Sequence, residues 1–148
     1  MMKKADSSST KLRDDLGESF VICNGLEGCL FVYSQDEWNQ FVAELNTLPR
    51  MNKDARIFKR YFFGSASEGS FDKQGRVSVP ASLRKAAHLE KDVVLVGVQD
   101  RVEIWDKALW KSAVWSVKKI WMRLQNVWRR SVSEFDSGQR VNGGFYGI

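Results

Sequence analysis

Three basic side chains around a glycine turn are the residues of this chain best suited to chemistry. Lys73 and Arg76 flank Gly75, and Arg84 follows a little further along. A guanidinium group can make two parallel hydrogen bonds to guanine or phosphate, and a lysine ammonium group attracts phosphate. The arrangement therefore predicts contact with double-stranded DNA through Lys73, Arg76 and Arg84.

A structural role for the same turn stays open at this level. Asp72 and Gly75 are turn-forming residue types, because an aspartate side chain accepts local backbone hydrogen bonds and glycine adopts positive φ. Asp72 could pair with Arg76 across the turn, and an ion pair of Arg84 could stabilise the fold.

A second basic group recurs at helical spacing between residues 52 and 63, where Lys53, Arg56 and Arg60 form a stripe. These three residues are secondary candidates for DNA contacts. A solvated helix face that Asp54 partly neutralises explains the stripe at least as well.

The sequence contains few residues of the types that catalysis or metal binding needs. The chain has one histidine, His88, and two cysteines, Cys23 and Cys29, which lie in apolar runs. No Ser-His-Asp set or phosphate loop accompanies them. We expect buried free thiols, a capping or packing role for His88, and an N-cap role for Asp106. The sequence predicts no enzyme, no metal site and no cofactor.

The basic turn must be positioned by the elements around it. Val77 and Val79 alternate with polar residues, which predicts a half-buried strand, and Pro80 ends it because proline has no N–H to donate. Residues 81–87 are rich in helix formers and follow that proline directly. The unit is therefore a strand, a charged glycine turn, a strand, a proline and a short helix.

The spacing Asp-x-x-Gly-Arg, three residues, Pro, three residues, Arg resembles the swapped-hairpin motif of the AbrB-like transcription factors. It is filled by Asp72, Gly75, Arg76, Pro80 and Arg84. The flanking stretches NGLEGCLFVY, LPRMNKDARIFKRYFFGSASE and LEKDVVLVGVQDRVEIWDKALW resemble the MraZ family within that group, over about residues 11 to 110. The resemblance implies an α+β fold: a duplicated swapped-hairpin β-barrel with flanking helices and pseudo-twofold symmetry.

The resemblance also implies a function. Members of the family are expected to be sequence-specific DNA-binding regulators of the division and cell wall gene cluster. They would form ring-shaped homo-oligomers on promoter repeats, with the turn facing DNA. A cytoplasmic, nucleoid-associated protein without membrane contact follows. Two alternatives remain: an AbrB-type antitoxin, or a non-regulatory or pseudogene product that binds nucleic acid nonspecifically.

An internal duplication organises the chain. Leu12 to Trp38 repeats as Leu83 to Trp110, with strand, hairpin and helix in the same order. We expect a first, truncated repeat at 11–64 and a second at 65–110. The strands Phe20 to Cys23, Cys29 to Tyr33, Val93 to Val98 and Val102 to Trp105 should lie inside, and on the helix from about Asn52 to Phe63 the residues Ile57, Phe58, Tyr61 and Phe62 should face inward.

The first repeat lacks its glycine turn, and residues 1–10 form a polar lead that we expect to be disordered. Back-translation of Met1 to Ser8, read two bases later, admits Asp-Glu-Lys-Gly-Arg-Leu-Ile. The missing turn is therefore encoded out of frame. We hypothesise that the reading frame is shifted at this end.

The C-terminal tail invites the same interpretation. Residues 111–148 carry seven Lys/Arg and two Asp/Glu, which is the whole net charge of +5. Back-translation of Trp115 to Trp128, read two bases later, admits an acidic amphipathic helix that resembles the family's usual end. We expect an aberrant basic tail with only a short helix continuing from Asp106.

Overall fold

The structure is a computed structural model. It describes residues 9–138, with side chains from residue 12 to residue 131. The chain divides into two units, one ending at Trp110 and the other beginning at Lys111. In the first unit five strands pair in the order β3-β1-β2-β5-β4. The strands are β1 Ser19–Asn24, β2 Leu30–Ser34, β3 Ser67–Ser70, β4 Val93–Val98 and β5 Arg101–Asp106.

Six helices accompany these strands in the described part of the chain. They are α1 Ser9–Leu16, α2 Gln35–Asn46, α3 Lys53–Ser65, α4 Ala81–Ala86, α5 Lys107–Trp115 and α6 Val117–Gly138. The α+β class and the two hairpin-plus-helix repeats are confirmed. The expected disorder of residues 1–10 falls mostly outside the described residues, although α1 already begins at Ser9.

The central strands are covered on both faces, which explains why their sequences are continuous apolar runs. On one face, Phe20, Ile22, Leu30 and Val32 join a core with residues of α1 and α4, including Leu83. On the other face the sheet meets α2 and α3. The rings of Phe31 and Phe62 stack at 6.2 Å, and those of Tyr33 and Phe41 at 5.0 Å.

The two repeats meet at a pseudo-twofold axis between β2 and β5. Leu30 pairs with Ile104, and Val32 pairs with Val102. Because Leu30 corresponds to Val102 and Val32 to Ile104 in the duplicated sequence, exchanging the two repeats leaves this register unchanged. The N-caps match as well: Ser34 Oγ accepts from the N–H of Glu37, and Asp106 Oδ2 accepts from the N–H groups of Ala108 and Leu109. The predicted cap at Asp106 is confirmed.

The strand predicted before Pro80 is not formed. Phe71 and Val77 make one isolated antiparallel bridge, and the rest of the segment from residue 76 to Pro80 belongs to no strand or helix. The period-2 pattern is nevertheless meaningful, since Val79 is buried and Val77 packs against the core. An extended segment becomes a strand only when a neighbour completes its hydrogen-bond ladder.

The strand prediction at Val93–Val98 was correct, but its burial was overestimated. The residues of β4 are half-buried or exposed, because β4 lies at the edge of the sheet. Edge strands have one neighbour and one open side, so an apolar sequence there does not guarantee burial. The β1, β2 and β5 segments are buried as predicted, except for the half-buried Glu103 on β5.

The inward face predicted for α3 is too wide. Phe62 is buried, but Ile57, Phe58 and Tyr61 keep 50%, 38% and 42% of their surface exposed. The Tyr61 hydroxyl donates a hydrogen bond to the carbonyl oxygen of Gly25, which lies in the loop between β1 and β2. The apolar arc of α3 is broader than the strip that the sheet covers, and the excess faces solvent.

The expectation of only a short helix in the tail is wrong. Two helices follow Asp106, and α6 has 22 residues. Residues 117–137 contain neither glycine nor proline, and apolar residues recur there at three- and four-residue spacing. Gly138 is the last residue that the structure describes, so the expectation that Gly138, Gly143 and Gly144 prevent regular structure lies outside the described residues.

Candidate nucleic-acid interface

The turn from Asp72 to Arg76 is held together by one carboxylate. Asp72 Oδ1 accepts hydrogen bonds from the backbone N–H groups of Gln74 and Arg76, each at 2.8 Å. Asp72 Oδ2 lies 3.1 Å from Nε of Arg76, which makes an ion pair. Two backbone bonds close the turn: the N–H of Asp72 donates to the carbonyl of Arg76, and that of Gly75 to the carbonyl of Asp72. The pairing considered for Asp72 and Arg76 is therefore present.

Backbone conformation explains the residue types of the turn. Gly75 has a φ of 75°, a value that glycine adopts without steric cost. The pKa of Asp72 is held below its ordinary value, chiefly because the backbone N–H of Arg76 stabilises the charged carboxylate. The turn is thus pre-organised by an ionised aspartate at neutral pH.

The basic residues of the turn differ in their surroundings. Lys73 is exposed, and Arg76 is half-buried beside the Asp72 carboxylate. A protein that presents an exposed ammonium group next to an oriented guanidinium group can attract phosphate and align a donor for a base edge or a second phosphate. The structure brings Lys73 and Arg76 together on one turn, as the sequence predicts.

Arg84 lies on α4, which follows the turn. The same helix packs Leu83 and Ala87 into the core. Its Nε atom is buried without a hydrogen-bond partner among the described residues, and no ion pair of Arg84 occurs there either. The stabilising ion pair considered for Arg84 is therefore not observed in the described part of the chain, and one buried donor remains unsatisfied.

Arg13 is a neighbour of the turn that sequence reasoning missed. Its guanidinium carbon lies 5.9 Å from the centre of the Phe71 ring, and Phe71 directly precedes Asp72. The duplication contains the signal, because Arg13 corresponds to Arg84. A cation above an aromatic ring is stabilised by the ring quadrupole. The first repeat thus adds a basic residue beside the turn of the second.

The stripe on α3 consists of three exposed residues with unequal roles. Arg56 uses Nη1 to donate to the carbonyls of Met51 at 2.8 Å and Arg50 at 3.4 Å, so it stabilises the loop before the helix. Lys53 and Arg60 are exposed. Asp54 forms no ion pair among the described residues. It can therefore offset the positive charge of Lys53, Arg56 and Arg60 only by longer-range electrostatic attraction.

A second charged cluster, at the start of β5, is neutralised. Arg101 pairs with Asp100 at 2.9 Å and with Glu103 at 3.1 Å, and it covers the Phe31 ring at 4.3 Å. Glu103 also accepts a hydrogen bond from the indole N–H of Trp105. Because two carboxylates surround one guanidinium, this cluster favours a structural role over binding of an anion.

The cysteines and the histidine take the structural roles that the sequence predicts. Cys23 and Cys29 are buried free thiols, and burial raises the pKa of each to about 12. His88 has a φ of 54° just after α4, where its N–H donates to the Lys85 carbonyl and that of Leu89 to the Arg84 carbonyl. This is a Schellman cap, and Gly17 occupies the same left-handed position after α1.

The described residues, 9–138, lack two further features. No group of three or more His, Cys, Asp or Glu side chains there could hold a metal ion. Among the same residues, no helix is both long and apolar enough to span a membrane.

Comparison with known proteins identifies the family. A family model described as MraZ protein, with the suggestion that it is antitoxin-like, matches the chain twice, at residues 8–61 and 62–123.

Curated relatives agree with that match. A transcriptional regulator MraZ from Thermoanaerobacter sp. (strain X514) is 54% identical over 101 residues, which cover 68% of this chain and 71% of the relative. Proteins of the same name from Acetivibrio thermocellus and Lachnoclostridium phytofermentans are 50% and 52% identical over 103 residues, covering 70% of this chain and 72% of each relative. The chain belongs to the MraZ family.

Proposed function

We propose that this protein is a sequence-specific DNA-binding transcriptional regulator that contacts DNA through the Asp72–Arg76 turn. Relatives at 50–54% identity carry the name transcriptional regulator. The target would be promoter repeats of the division and cell wall gene cluster, in a cytoplasmic, nucleoid-associated protein. Lys73 and Arg76 would make the main contacts, and Arg84 would add to them.

The observation that carries the proposal is the carboxylate-organised turn. Asp72 orders the backbone from residue 72 to residue 76 and orients the Arg76 side chain, while Lys73 stays exposed. Pre-organised donors lose less conformational entropy on binding than flexible ones. Basic residues on such a turn can therefore supply affinity, and Arg76 can supply base selectivity.

A homo-oligomer, with ring geometry, belongs to the same proposal. The exposed apolar surface of α3, formed by Ile57, Phe58, Tyr61 and Phe63, supports it. So do the two open sheet edges at β3 and β4. Several copies would place several basic turns along tandem repeats, which raises avidity through effective concentration.

A gel-shift titration against the upstream region of the protein's own gene tests the DNA proposal. Scrambled DNA of equal length serves as the nonspecific reference. Arg76→Ala should weaken specific binding by about 1–3 kcal/mol and relax sequence preference if Arg76 reads a base edge. Lys73→Ala should weaken binding on both DNAs and make the salt dependence of log affinity shallower by about 0.9.

Lys91→Ala is the matched control, because Lys91 is an exposed lysine outside the turn. Its affinity should equal that of the unchanged protein. If Arg76→Ala leaves DNA binding intact and lowers only the melting temperature, the turn is structural. Lys53 and Arg60 would then be the next residues to substitute.

Size-exclusion chromatography with light scattering tests the oligomer. Ile57→Lys places a charge on the exposed apolar surface of α3 and should reduce the molar mass of the assembly. Met51→Lys is the control, because Met51 is exposed before α3 begins. A monomeric unchanged protein would contradict the oligomer while leaving the DNA proposal testable.

The family description favours one second candidate, an AbrB-type antitoxin. An antitoxin would co-purify with a toxin partner when both genes are expressed from their native locus. Recovery of a stoichiometric toxin, together with growth rescue by this protein, would favour the antitoxin over the regulator.

A further inference from the structure

Helix α6 exposes a long apolar stripe. Six residues on it keep between 38% and 68% of their surface exposed: Val117, Ile120, Trp121, Leu124, Val127 and Trp128. With 3.6 residues per turn these positions fall within an arc of about 120°. The helix is therefore strongly amphipathic, and within its described side chains the apolar side is open.

The remainder of the same helix is basic. Lys118, Lys119, Arg123, Arg129 and Arg130 occupy positions outside the apolar arc, some of them close to its two borders. The sequence contains no Asp or Glu from residue 107 to residue 133. Lys118, Lys119 and Arg123 thus put three positive charges in the first seven residues of the helix, in a stretch of sequence without Asp or Glu.

We propose that α6 is a membrane-surface helix that binds anionic phospholipid. Tryptophan and aliphatic residues would enter the boundary between headgroups and acyl chains, and the flanking Lys and Arg side chains would reach the lipid phosphates. Its 22 residues would be long enough to cross a bilayer, but its Lys and Arg side chains would then lie among acyl chains, so the helix would lie in the plane of the surface. This agrees with the finding that no described helix can span a membrane.

Charge complementarity favours a lipid surface over a second copy of α6. Two such helices packed by their apolar stripes would bring together the Lys118, Lys119 and Arg123 side chains of both copies, and the sequence has no Asp or Glu from residue 107 to residue 133. Like charges along a helix pair oppose association. An anionic surface instead attracts each cation within about a Debye length.

The distribution of the tryptophans favours lipid over nucleic acid. Trp121 and Trp128 lie seven residues apart inside the apolar arc, which they share with Val117, Ile120, Leu124 and Val127 and which contains no Lys or Arg. A single-stranded nucleic acid bound by stacking needs aromatic and basic residues on one shared surface. Duplex DNA would contact the basic side and leave the apolar stripe in water.

The inference goes beyond the proposed function. The family match ends at residue 123, so most of α6 lies outside it. It also departs from the expectation that the protein makes no membrane contact, which rested on the absence of a spanning segment. Interfacial helices need an amphipathic stripe and do not need a spanning segment.

Vesicle co-sedimentation of the full chain tests the proposal. Vesicles of phosphatidylcholine alone are compared with vesicles that contain one-third phosphatidylglycerol, at about 0.1 M salt. We expect sedimentation and a blue shift of tryptophan fluorescence with anionic vesicles only. Raising the salt should reduce binding.

Two sets of variants measure the apolar and the electrostatic contributions to vesicle binding separately. Trp121→Gln with Trp128→Gln keeps the charge and should lower partitioning by about tenfold or more. Lys118→Gln, Lys119→Gln and Arg123→Gln together should lower it by about fivefold for each cation removed. Met122→Gln is the matched control, because Met122 is an exposed apolar residue on the basic side, and it should leave binding unchanged.

Three results would overturn the proposal. The first is no binding to anionic vesicles by the unchanged chain. The second is binding that the charge variant loses and the tryptophan variant keeps, which would indicate nonspecific polyanion attraction such as nucleic acid. The third is self-association that the tryptophan variant abolishes, with no change in vesicle binding, which would identify a second copy as the occupant.

Discussion

The Nε atom of Arg76 lies 3.1 Å from Oδ2 of Asp72, while the backbone N–H of Arg76 donates to Oδ1 of the same carboxylate at 2.8 Å. One aspartate therefore orders both the main chain and the side chain of the arginine that we place at the DNA. The DNA-binding role that we propose for this turn would therefore be coupled to its structural role, so its variants must be measured for stability as well as affinity.

Acidification should release the turn. The lowered pKa of Asp72 means that the folded state favours the carboxylate, so its contribution is present above the ordinary value of 3.8 and is lost as pH falls below it. Asp72→Asn should melt at a lower temperature than the unchanged protein at pH 7. The difference between the two melting temperatures should shrink as the pH falls below 3.8, and it should vanish once the Asp72 carboxylate is protonated in the folded state as well. A constant difference across this range would show that the charge of Asp72 is unimportant.

The caps of α1 and α4 predict opposite effects of two substitutions. His88 adopts a φ of 54°, so His88→Gly should remove left-handed strain and stabilise the protein by about 0.5–1 kcal/mol. Gly17 has a φ of 79°, and no atom lies within 4 Å of the position that a Cβ would take. Gly17→Ala should therefore destabilise the protein by about 1 kcal/mol, because alanine is strained at positive φ and no steric clash adds to that cost. Urea denaturation measures both. If both substitutions changed the free energy of unfolding in the same direction, the two residues would not share a left-handed conformation that favours glycine.

Close packing at Gly69 predicts a large cost for a single methyl group. A Cβ there would lie 2.6 Å from Cε2 of Phe20, so Gly69→Ala should destabilise by about 1–3 kcal/mol. Gly97 offers the matched control on β4, because nothing lies within 4 Å of its Cβ position. Gly97→Ala should be neutral or slightly stabilising in thermal unfolding. Similar losses at both positions would mean that Phe20 can move aside.

Alkaline stability should reflect the two buried thiols. Their pKa values are raised from 9.0 to about 12, so their contribution is intact below pH 9 and is lost as pH rises toward 12. The melting temperature should fall steadily above pH 9. Cys23→Ala should flatten this decline while lowering stability at pH 7 through a small cavity. Rapid reaction of both thiols with a disulfide reagent at pH 8 would show that they are not buried.

The reading-frame hypothesis predicts a defined change in the coding region. Resequencing should find a base inserted or deleted near codons 8 to 10 and again near codons 110 to 115. A protein with the restored Asp-Glu-Lys-Gly-Arg turn ahead of Leu12 should bind its upstream repeats more tightly. Its salt dependence should be steeper by about 0.9 for each added phosphate contact. An unaltered frame at both places would refute the hypothesis.

Local pattern was sufficient for much of this fold. The apolar runs at Ser19–Asn24 and Leu30–Ser34, the cap residues Ser34 and Asp106, and the duplication are all properties of neighbouring residues, and each is found in the structure. The pairing of Asp72 with Arg76 was also foreseeable, because its partners lie within one turn. The burial of β4 and of the apolar face of α3 could not be foreseen from the sequence, because it depends on which other elements cover them.

The sequence by itself determined the repeat, the strands of the two hairpins with the helix after each, and the residues of the basic turn, because those follow from spacing, chain stiffness and side-chain chemistry over a few residues. Only the tertiary structure decided that β4 is an edge strand, that Arg13 lies over Phe71, and that the Nε of Arg84 is buried without a partner. These features arise where residues distant in sequence meet, and exposure there depends on long-range packing.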